Sequence, residues 1–217
     1  MGSVDDETSD REATIDAAPP GVTSPTRWNT HARGALLRVI RDDLQANSAL
    51  SVSGIIKPAA LALIVYRYGQ WVFARRGSGS AVRLGEKLYW ILFAAVRNQL
   101  GIELVATAEL GRGVRIEHQH GIVIHPFAVI GDEVQIHHGV TIGLKNEQEL
   151  ATIQQNVPHI GTRVVIGVGA TIIGAVVIGD GARIGPHALV TRDVPPGASV
   201  VAAPSRILRL SDGGAGE

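Results

Sequence analysis

An aliphatic residue recurs every six positions over most of residues 104–190, and this period limits the possible folds more than any other feature of the sequence. It matches neither the 3.6-residue turn of an α-helix nor the two-residue alternation of a strand. It does fit a prism in which each flat side is one hexad and three sides complete a coil of about 18 residues. We therefore predict a solenoid whose recurring aliphatic side chains point inward. These are Leu104, Leu110, Ile116, Ile124, Ile130, Ile136, Ile142, Ile160, Ile166, Ile172, Ile178, Ile184 and Val190.

The composition of the same region favours a narrow interior. From residue 101 onward lie 18 of the 26 glycines, whereas Phe127 is the only aromatic residue there. Rings do not fit inside a narrow prism, and glycine directly after an inward position is expected to permit a tight corner. Glycine follows the recurring aliphatic residue at Gly111, Gly131, Gly143, Gly161, Gly167, Gly179 and Gly185.

The segments before the solenoid have different compositions. Residues 1–32 are acidic and proline-containing with few large apolar side chains, so we predict a disordered arm. Residues 33–100 hold seven of the nine aromatic residues and show helical spacing, which predicts an α-helical subdomain of three helices. Pro58 is expected to open the second helix from its first turn.

The solenoid domain is predicted to occupy residues 101–202, and residues 203–217 form a C-terminal segment. Stacked coils leave strand edges exposed at both ends. The helical subdomain is expected to cover one end, and Val201 to Leu210 the other.

Charge and cysteine content exclude several classes of function. The formal net charge is +0, so no basic surface for nucleic acid is indicated, and the absence of cysteine excludes disulfides and thiolate zinc sites. The longest apolar stretches are shorter than the roughly 20 residues of a membrane-spanning helix. The acidic N-terminus does not resemble a secretory signal, so we predict a cytoplasmic protein. A peripheral membrane contact through the helical subdomain stays open.

Two interruptions of the six-residue period mark where ligand contacts are expected. The first is an extra pair, Ile122 and Val123, which shifts the register by two residues after a histidine-rich stretch at residues 117–121. The second is a polar excursion loop over residues 144–159.

Coil stacking gathers histidines at the first interruption. Allowing for the shift, His118 lies over His138 and Glu117 over His137, whereas Glu103 falls beneath Gly121. Histidine at a corner can be a polar surface residue, a metal ligand or a proton acceptor. A metal site could draw on five histidines, but no three of them are fixed in a closed geometry, and we expect no metal. The five are His118, His120, His125, His137 and His138.

Over about residues 35–208 the sequence resembles the serine acetyltransferase family. The similarity is carried by the following motifs: Ile40-Arg-Asp-Asp-Leu, Tyr66-Arg-Tyr-Gly-Gln-Trp, Gly101-Ile-Glu-Leu, Ala108-Glu-Leu-Gly-Arg-Gly, Ile116-Glu-His-Gln-His-Gly-Ile-Val-Ile-His-Pro, Gln135-Ile-His-His-Gly-Val-Thr-Ile-Gly, Ile166-Gly-Val-Gly-Ala and Asp193-Val-Pro-Pro-Gly.

The resemblance implies a left-handed parallel β-helix with hexapeptide repeats, preceded by the α-helical subdomain. It also implies a homotrimer or a dimer of trimers in which acetyl-CoA lies between neighbouring prisms. By the same resemblance, His118 is the general base, Glu103 is its carboxylate partner, and Glu117 contacts the acceptor. No cysteine nucleophile is present, so we expect the acetyl group to pass directly from acetyl-CoA to the acceptor. The resemblance also implies a role in cysteine biosynthesis.

Further site positions follow from the resemblance. Those matching the acetyl-CoA groove are Thr141, Gly143, Val168, Arg183 and Pro186. His138 and Asn156 are expected on the acceptor side.

The sequence departs from the family pattern where the family contacts serine. An Arg-His pair before a proline is replaced by Asn156 and Val157, and both site carboxylates are glutamate rather than aspartate. Two hypotheses therefore stay beside serine acetylation. One is O-acetylation of a sugar during surface polysaccharide assembly, and the other is a trimeric scaffold without catalysis.

Overall fold

Three helices precede a stack of short strands in the computed structural model, which describes residues 19–25, 32, 34–51, 54, 57–77, 79–145 and 156–205. The helices are α1 (Ala35–Ala46), α2 (Pro58–Phe73) and α3 (Ser80–Ala95), and α3 continues into a π-helical turn, Val96–Leu100. Proline at the first position of α2 costs no hydrogen bond, because the N–H groups of the first turn have no helical partner. No helix among these residues is long and apolar enough to cross a bilayer.

The strands form three parallel sheets, to each of which every full coil contributes one strand. The first sheet has the order β1-β4-β7-β10-β13, the second β11-β8-β5-β2 and the third β14-β12-β9-β6-β3. The strands are β1 (Ile102–Leu104), β2 (Glu109–Leu110), β3 (Arg115–Glu117), β4 (Ile122–Ile124), β5 (Val129–Ile130), β6 (Gln135–His137), β7 (Thr141–Gly143), β8 (His159–Ile160), β9 (Val165–Ile166), β10 (Thr171–Ile173), β11 (Val177–Ile178), β12 (Arg183–Ile184), β13 (Leu189–Val190) and β14 (Ser199–Val200).

The three-sided solenoid and its inward aliphatic column are confirmed. Every aliphatic residue of the predicted series is at most 5% exposed. Parallel pairing stacks identical residues of successive coils, as in Ile130 beside Ile160 and Ile136 beside Ile166. The interior is therefore a stack of aliphatic layers with no room for rings.

The glycines that follow the inward residues serve a purpose other than the predicted one. None of the seven has a positive φ, so the tight-corner explanation is wrong. A Cβ on Gly131 would lie 2.6 Å from the backbone of Gly161 in the next coil. Six of the seven allow close approach between coils, Gly143 being the exception, while the left-handed corner positions are held by other residues, including Glu133 and Arg163.

The two-residue insertion lies in the corner formed by residues 118–121. Ile102 pairs with Ile122 and Glu103 with Val123, so Ile122 resumes the sheet as a buried residue. The extra residues therefore precede Ile122. Counting 18 residues per coil placed Glu103 beneath Gly121, and this is wrong because the first coil has two more residues.

Side chains of the helical subdomain satisfy the open edge of the first coil. Tyr89 Oη accepts from Ala106 N–H at 2.9 Å, and Tyr66 Oη donates to Ala108 O at 2.8 Å. Burial raises the pKa of Tyr66, which keeps its hydroxyl available as a donor. Asn47 Nδ2 donates to the carbonyl of Val114 at 2.9 Å. The helical subdomain thus covers one end of the solenoid, as predicted.

A buried ion pair joins the helices to the same coil. Arg67 Nε lies 2.7 Å from Asp43 Oδ2, and both side chains are at most 2% exposed. Arg67 also donates to the carbonyls of Leu110 and Gly111. The guanidinium therefore spans the boundary between α2 and the solenoid.

At the far end, the described part of the predicted C-terminal cover is exposed. Residues 201–205 are exposed and without regular structure, and residues 206–210 lie outside the described residues. An N-terminal segment contacts this end instead: Asp180 N–H donates to Gly21 O, and Thr23 N–H donates to Asp180 Oδ1, both at 3.0 Å. Burial raises the pKa of Asp180, but the hydrogen bonds from Thr23 and Thr162 outweigh it and leave the pKa lowered. Residues 19–25 belong to the segment predicted to be disordered, and residues 1–18 lie outside the described residues.

Candidate active site

One corner of the prism gathers several of the histidines. It joins the third sheet to the first and consists of residues 118–121, 138–139, 168–169 and 186–187 in successive coils; we call it the histidine corner. Backbone hydrogen bonds connect its levels, from Gly139 N–H to His120 O at 3.0 Å and from Gly169 N–H to His138 O at 2.9 Å. The corner is therefore a continuous ridge across four coils.

His118 occupies the lowest level of this ridge in an unusual backbone conformation. Its φ is 65°, and that of His120 is 77°, both in the left-handed region that residues other than glycine seldom adopt. The His118 side chain is exposed, and its ring meets that of His138 edge to face, with centroids 5.6 Å apart. The predicted stacking of His118 on His138 is confirmed. Corner residues elsewhere in the solenoid, such as Glu133 and Arg163, share this conformation, so the left-handed φ belongs to the corner itself.

The neighbouring histidines differ in their hydrogen bonding. His137 Nδ1 lies 2.8 Å from Ile166 O, so this nitrogen carries a proton and donates to the carbonyl. Glu117 pairs with His137 in the adjacent strand, as coil stacking predicted. His138 Nδ1, by contrast, is buried and has no hydrogen-bond partner.

The predicted pair of His118 and Glu103 is not joined within one chain. Glu103 is half-buried on β1, beside Val123. Within the described ranges, no hydrogen bond or ion pair connects its carboxylate to His118. The carboxylate role of Glu103 stays a prediction from the family resemblance.

The five residues expected to contact acetyl-CoA lie on or beside the histidine corner. Val168 and Pro186 belong to its third and fourth levels. Thr141 and Gly143 lie on β7 of the first sheet, and Arg183 is exposed on β12 of the third sheet. Two of the five positions thus belong to the histidine corner, and the other three lie on the two sheets that it joins.

Asn156 lies at a different corner, where the chain returns from the excursion loop to the second sheet. It is half-buried and has an interaction partner. Val157 beside it is 1% exposed, so its side chain belongs to the core and does not face an acceptor. Residues 146–155 of the loop lie outside the described residues. Asn156 and His118 are therefore not brought together within one chain.

His187 belongs to the histidine corner but was missed by the sequence argument. It has a left-handed φ of 55°, and its Nδ1 lies 2.5 Å from the position that a Cβ on Gly169 would occupy. Coil arithmetic could have placed His187 at this corner, because it follows Gly169 by one coil of 18 residues. Gly169 in turn lies one coil above His138.

Other histidines lie away from this corner. Burial lowers the pKa of His159 on the second sheet, an effect that nearby Glu109 partly opposes. In the part of the chain that the structure covers, no three histidine or carboxylate side chains are placed to hold a metal ion.

Comparison with known proteins identifies the family. Residues 158–192 match the family model described as bacterial transferase hexapeptide (six repeats). The serine acetyltransferase of Helicobacter pylori strain J99 is 34% identical over 174 residues, which cover 80% of this chain and 94% of that protein. The chain belongs to the serine acetyltransferase family.

Two further serine acetyltransferases extend the comparison. That of Mycobacterium tuberculosis is 33% identical over 182 residues, 84% of this chain and 74% of that protein. The structure of soybean serine acetyltransferase complexed with serine has a TM-score of 0.65 and 28% identity, covering 80% of this chain and 69% of the soybean chain. As a serine acetyltransferase family member, the chain is an acyltransferase with the hexapeptide β-helix fold.

Proposed function

We propose that this chain transfers the acetyl group of acetyl-CoA directly to the hydroxyl of L-serine, with His118 as the general base. The observation that carries the proposal is the exposed, left-handed placement of His118 on the histidine corner, with its ring against His138. Membership of the serine acetyltransferase family and the soybean relative's complex with serine support L-serine as the acceptor.

The chemistry requires one base that acts twice. Neutral His118 removes the proton from the acceptor hydroxyl while the oxygen attacks the thioester carbonyl carbon. The new C–O bond forms, the C–S bond then breaks, and the imidazolium of His118 returns the proton to the departing thiolate. Glu117, next to His118 in sequence, is proposed to hold the acceptor.

Acetyl-CoA is proposed to lie along the ridge, because two of its expected contacts belong to it and the other three lie on the sheets that it joins. Val168 and Pro186 would contact the pantetheine arm through the main chain, and Arg183 supplies a cation for a CoA phosphate.

The groove for acetyl-CoA would be completed by a second copy of the chain. A homotrimer is supported by apolar side chains exposed on the outer face of the first sheet, Val123 at 41% and Leu189 at 66%.

A sugar hydroxyl is the second candidate acceptor. The positions expected to contact serine are occupied by Asn156, which has no charge, and by Val157, whose side chain is buried. Neither side chain supplies a cation for the carboxylate of an amino acid. O-acetylation of a sugar requires the same base and the same cosubstrate.

Replacing His118 with alanine tests the mechanism. We expect turnover to fall by about 100-fold to 10,000-fold, since that is the usual contribution of a general base. The measurement is release of the CoA thiol with a saturating acceptor. His125→Ala is the control, because His125 lies at another corner, beside Phe127. Unchanged turnover in His118→Ala would contradict the assignment.

The acceptor is decided by comparing L-serine with sugars and nucleotide sugars at equal concentration. Preference for L-serine supports the proposal, and preference for a sugar selects the second candidate. The scaffold hypothesis predicts no binding of acetyl-CoA, so heat released on titration with CoA would exclude it.

A further inference from the structure

The surroundings of His138 fix the tautomer of its ring. Nδ1 is buried without a partner, whereas Nε2 is not among the buried unpartnered atoms. Among buried backbone groups, an N–H without an acceptor is rarer than an unpaired carbonyl oxygen, and we apply the same preference to the ring nitrogen. In the neutral ring we therefore assign the proton to Nε2. His138 presents an N–H donor on its accessible edge.

The position of His138 along the histidine corner determines which residues lie next to its N–H donor. His118 lies one coil below it, and Val168 and Pro186 lie one and two coils above. Neighbouring levels are separated by about 4.8 Å, the spacing of paired strands. An acetyl-CoA arm that runs down the ridge to His118 passes His138 immediately before the thioester reaches the base.

We propose that Nε2–H of His138 donates a hydrogen bond to the thioester carbonyl oxygen as negative charge develops on it. The inference rests on the proposed function. As the acceptor oxygen bonds to the carbonyl carbon, the π electrons move onto the carbonyl oxygen, and they return when the C–S bond breaks. The donor is not consumed. The two rings are in edge-to-face contact, with centroids 5.6 Å apart, so a thioester that lies beside the pair can be reached by both the base and the donor.

Three substitutions at His138 separate donation from packing. Gln places its amide nitrogen near the position of Nε2, Asn places it near Nδ1, and Phe keeps the ring without any donor. Loss of an oxyanion donor lowers kcat by about 100-fold to 1,000-fold. We expect that loss in His138→Phe and His138→Asn, with little change in KM for acetyl-CoA, and we expect His138→Gln to keep kcat within about tenfold of wild type.

A purely structural role predicts the reverse order. Phe would then preserve the edge-to-face contact with His118 and the activity, while Gln would lose both. Equal losses in the Gln and Phe variants, or wild-type kcat in the Phe variant, would overturn the inference. Only variants that show a cooperative thermal unfolding transition, and are therefore folded, are compared in these assays.

The same assays distinguish this inference from the proposed function. All variants are assayed with whichever acceptor the wild-type chain acetylates fastest. If His118→Ala keeps wild-type turnover while His138→Phe loses turnover, the assignment of His118 as the base is refuted and that of His138 as the donor stands. Loss in His118→Ala together with wild-type turnover in His138→Phe refutes only the donor.

Discussion

Two ion pairs of the helical subdomain differ mainly in their exposure to solvent. Arg67 and Asp43 are buried at 2.7 Å, whereas Arg76 and Glu86, at 3.0 Å, have side chains 55% and 27% exposed. Breaking a buried pair leaves a charge without a partner, and water solvates the charge left by an exposed one. The same residue type therefore contributes very differently at the two places.

Arg67→Met is expected to lower the free energy of unfolding by about 3–5 kcal/mol, because Asp43 would be left buried and unpaired. Arg76→Met is the matched control and is expected to cost less than about 1 kcal/mol. Urea unfolding of the two variants measures both values. Equal costs would show that the Arg67 contacts contribute little.

Coil arithmetic predicted the contact of His118 with His138 but misplaced Glu103, and it could not predict features that the atomic surroundings decide. Counting hexads stacked His118 on His138 because that requires only the register. It could not show that His138 Nδ1 is enclosed, which depends on the atoms packed around the ring, or that Val157 faces the core, which depends on how the chain returns from the excursion loop.

At the scale of elements, coil spacing is controlled by glycines that lack a side chain at the contact. Gly131 and Gly143 both directly follow an inward isoleucine. A Cβ on Gly131 would lie 2.6 Å from backbone atoms of Gly161, whereas the nearest described atom to a Cβ on Gly143 would be in the Ile173 side chain, at 3.5 Å. Equivalent places in the sequence repeat therefore tolerate a methyl group differently.

Gly131→Ala is expected to destabilise the chain by about 1–3 kcal/mol, because the coils must part to admit the methyl group. Gly143→Ala is the control, at the same place in the hexad with ordinary contact distances, and is expected to stay within about 0.5 kcal/mol of wild type. Thermal unfolding compares them. A similar loss in both variants would contradict the close-approach explanation.

The elements themselves followed from the sequence, but one boundary did not. The six-residue period fixed the three sheets, and helical spacing with Pro58 fixed α2. Ile122 and Ile124 are both aliphatic and two residues apart, and taking Ile122 and Val123 as the extra pair was wrong. Pairing of Ile102 with Ile122 decides it.

At the scale of the whole molecule, the outer face of the first sheet exposes two apolar side chains, with the threonines of the two intervening strands between them. Val123 and Leu189 are exposed on this face, which flanks the histidine corner. Glu103, on the same sheet, does not meet His118 within the chain. These facts are explained together if a second copy packs against the first sheet.

Light scattering is expected to give three or six times the chain mass of 22.9 kDa. Leu189→Lys should dissociate the assembly and abolish acetyl transfer, because a charge in an apolar interface is left without solvent. Leu37→Lys is a control on α1, where the side chain is 73% exposed. A monomeric wild-type protein with full activity would refute a site shared between chains.

The helix side chains beneath the first coil also limit how this stack can vary. Tyr66, Tyr89 and Asn47 already occupy backbone groups that another coil would need for pairing. Coils can therefore be gained or lost only above the first coil, away from the end that the helices cover. The lowest level of the histidine corner is therefore fixed by the helices, while a change in coil number at the far end would have to re-form only the contacts of Gly21 and Thr23 with Asp180.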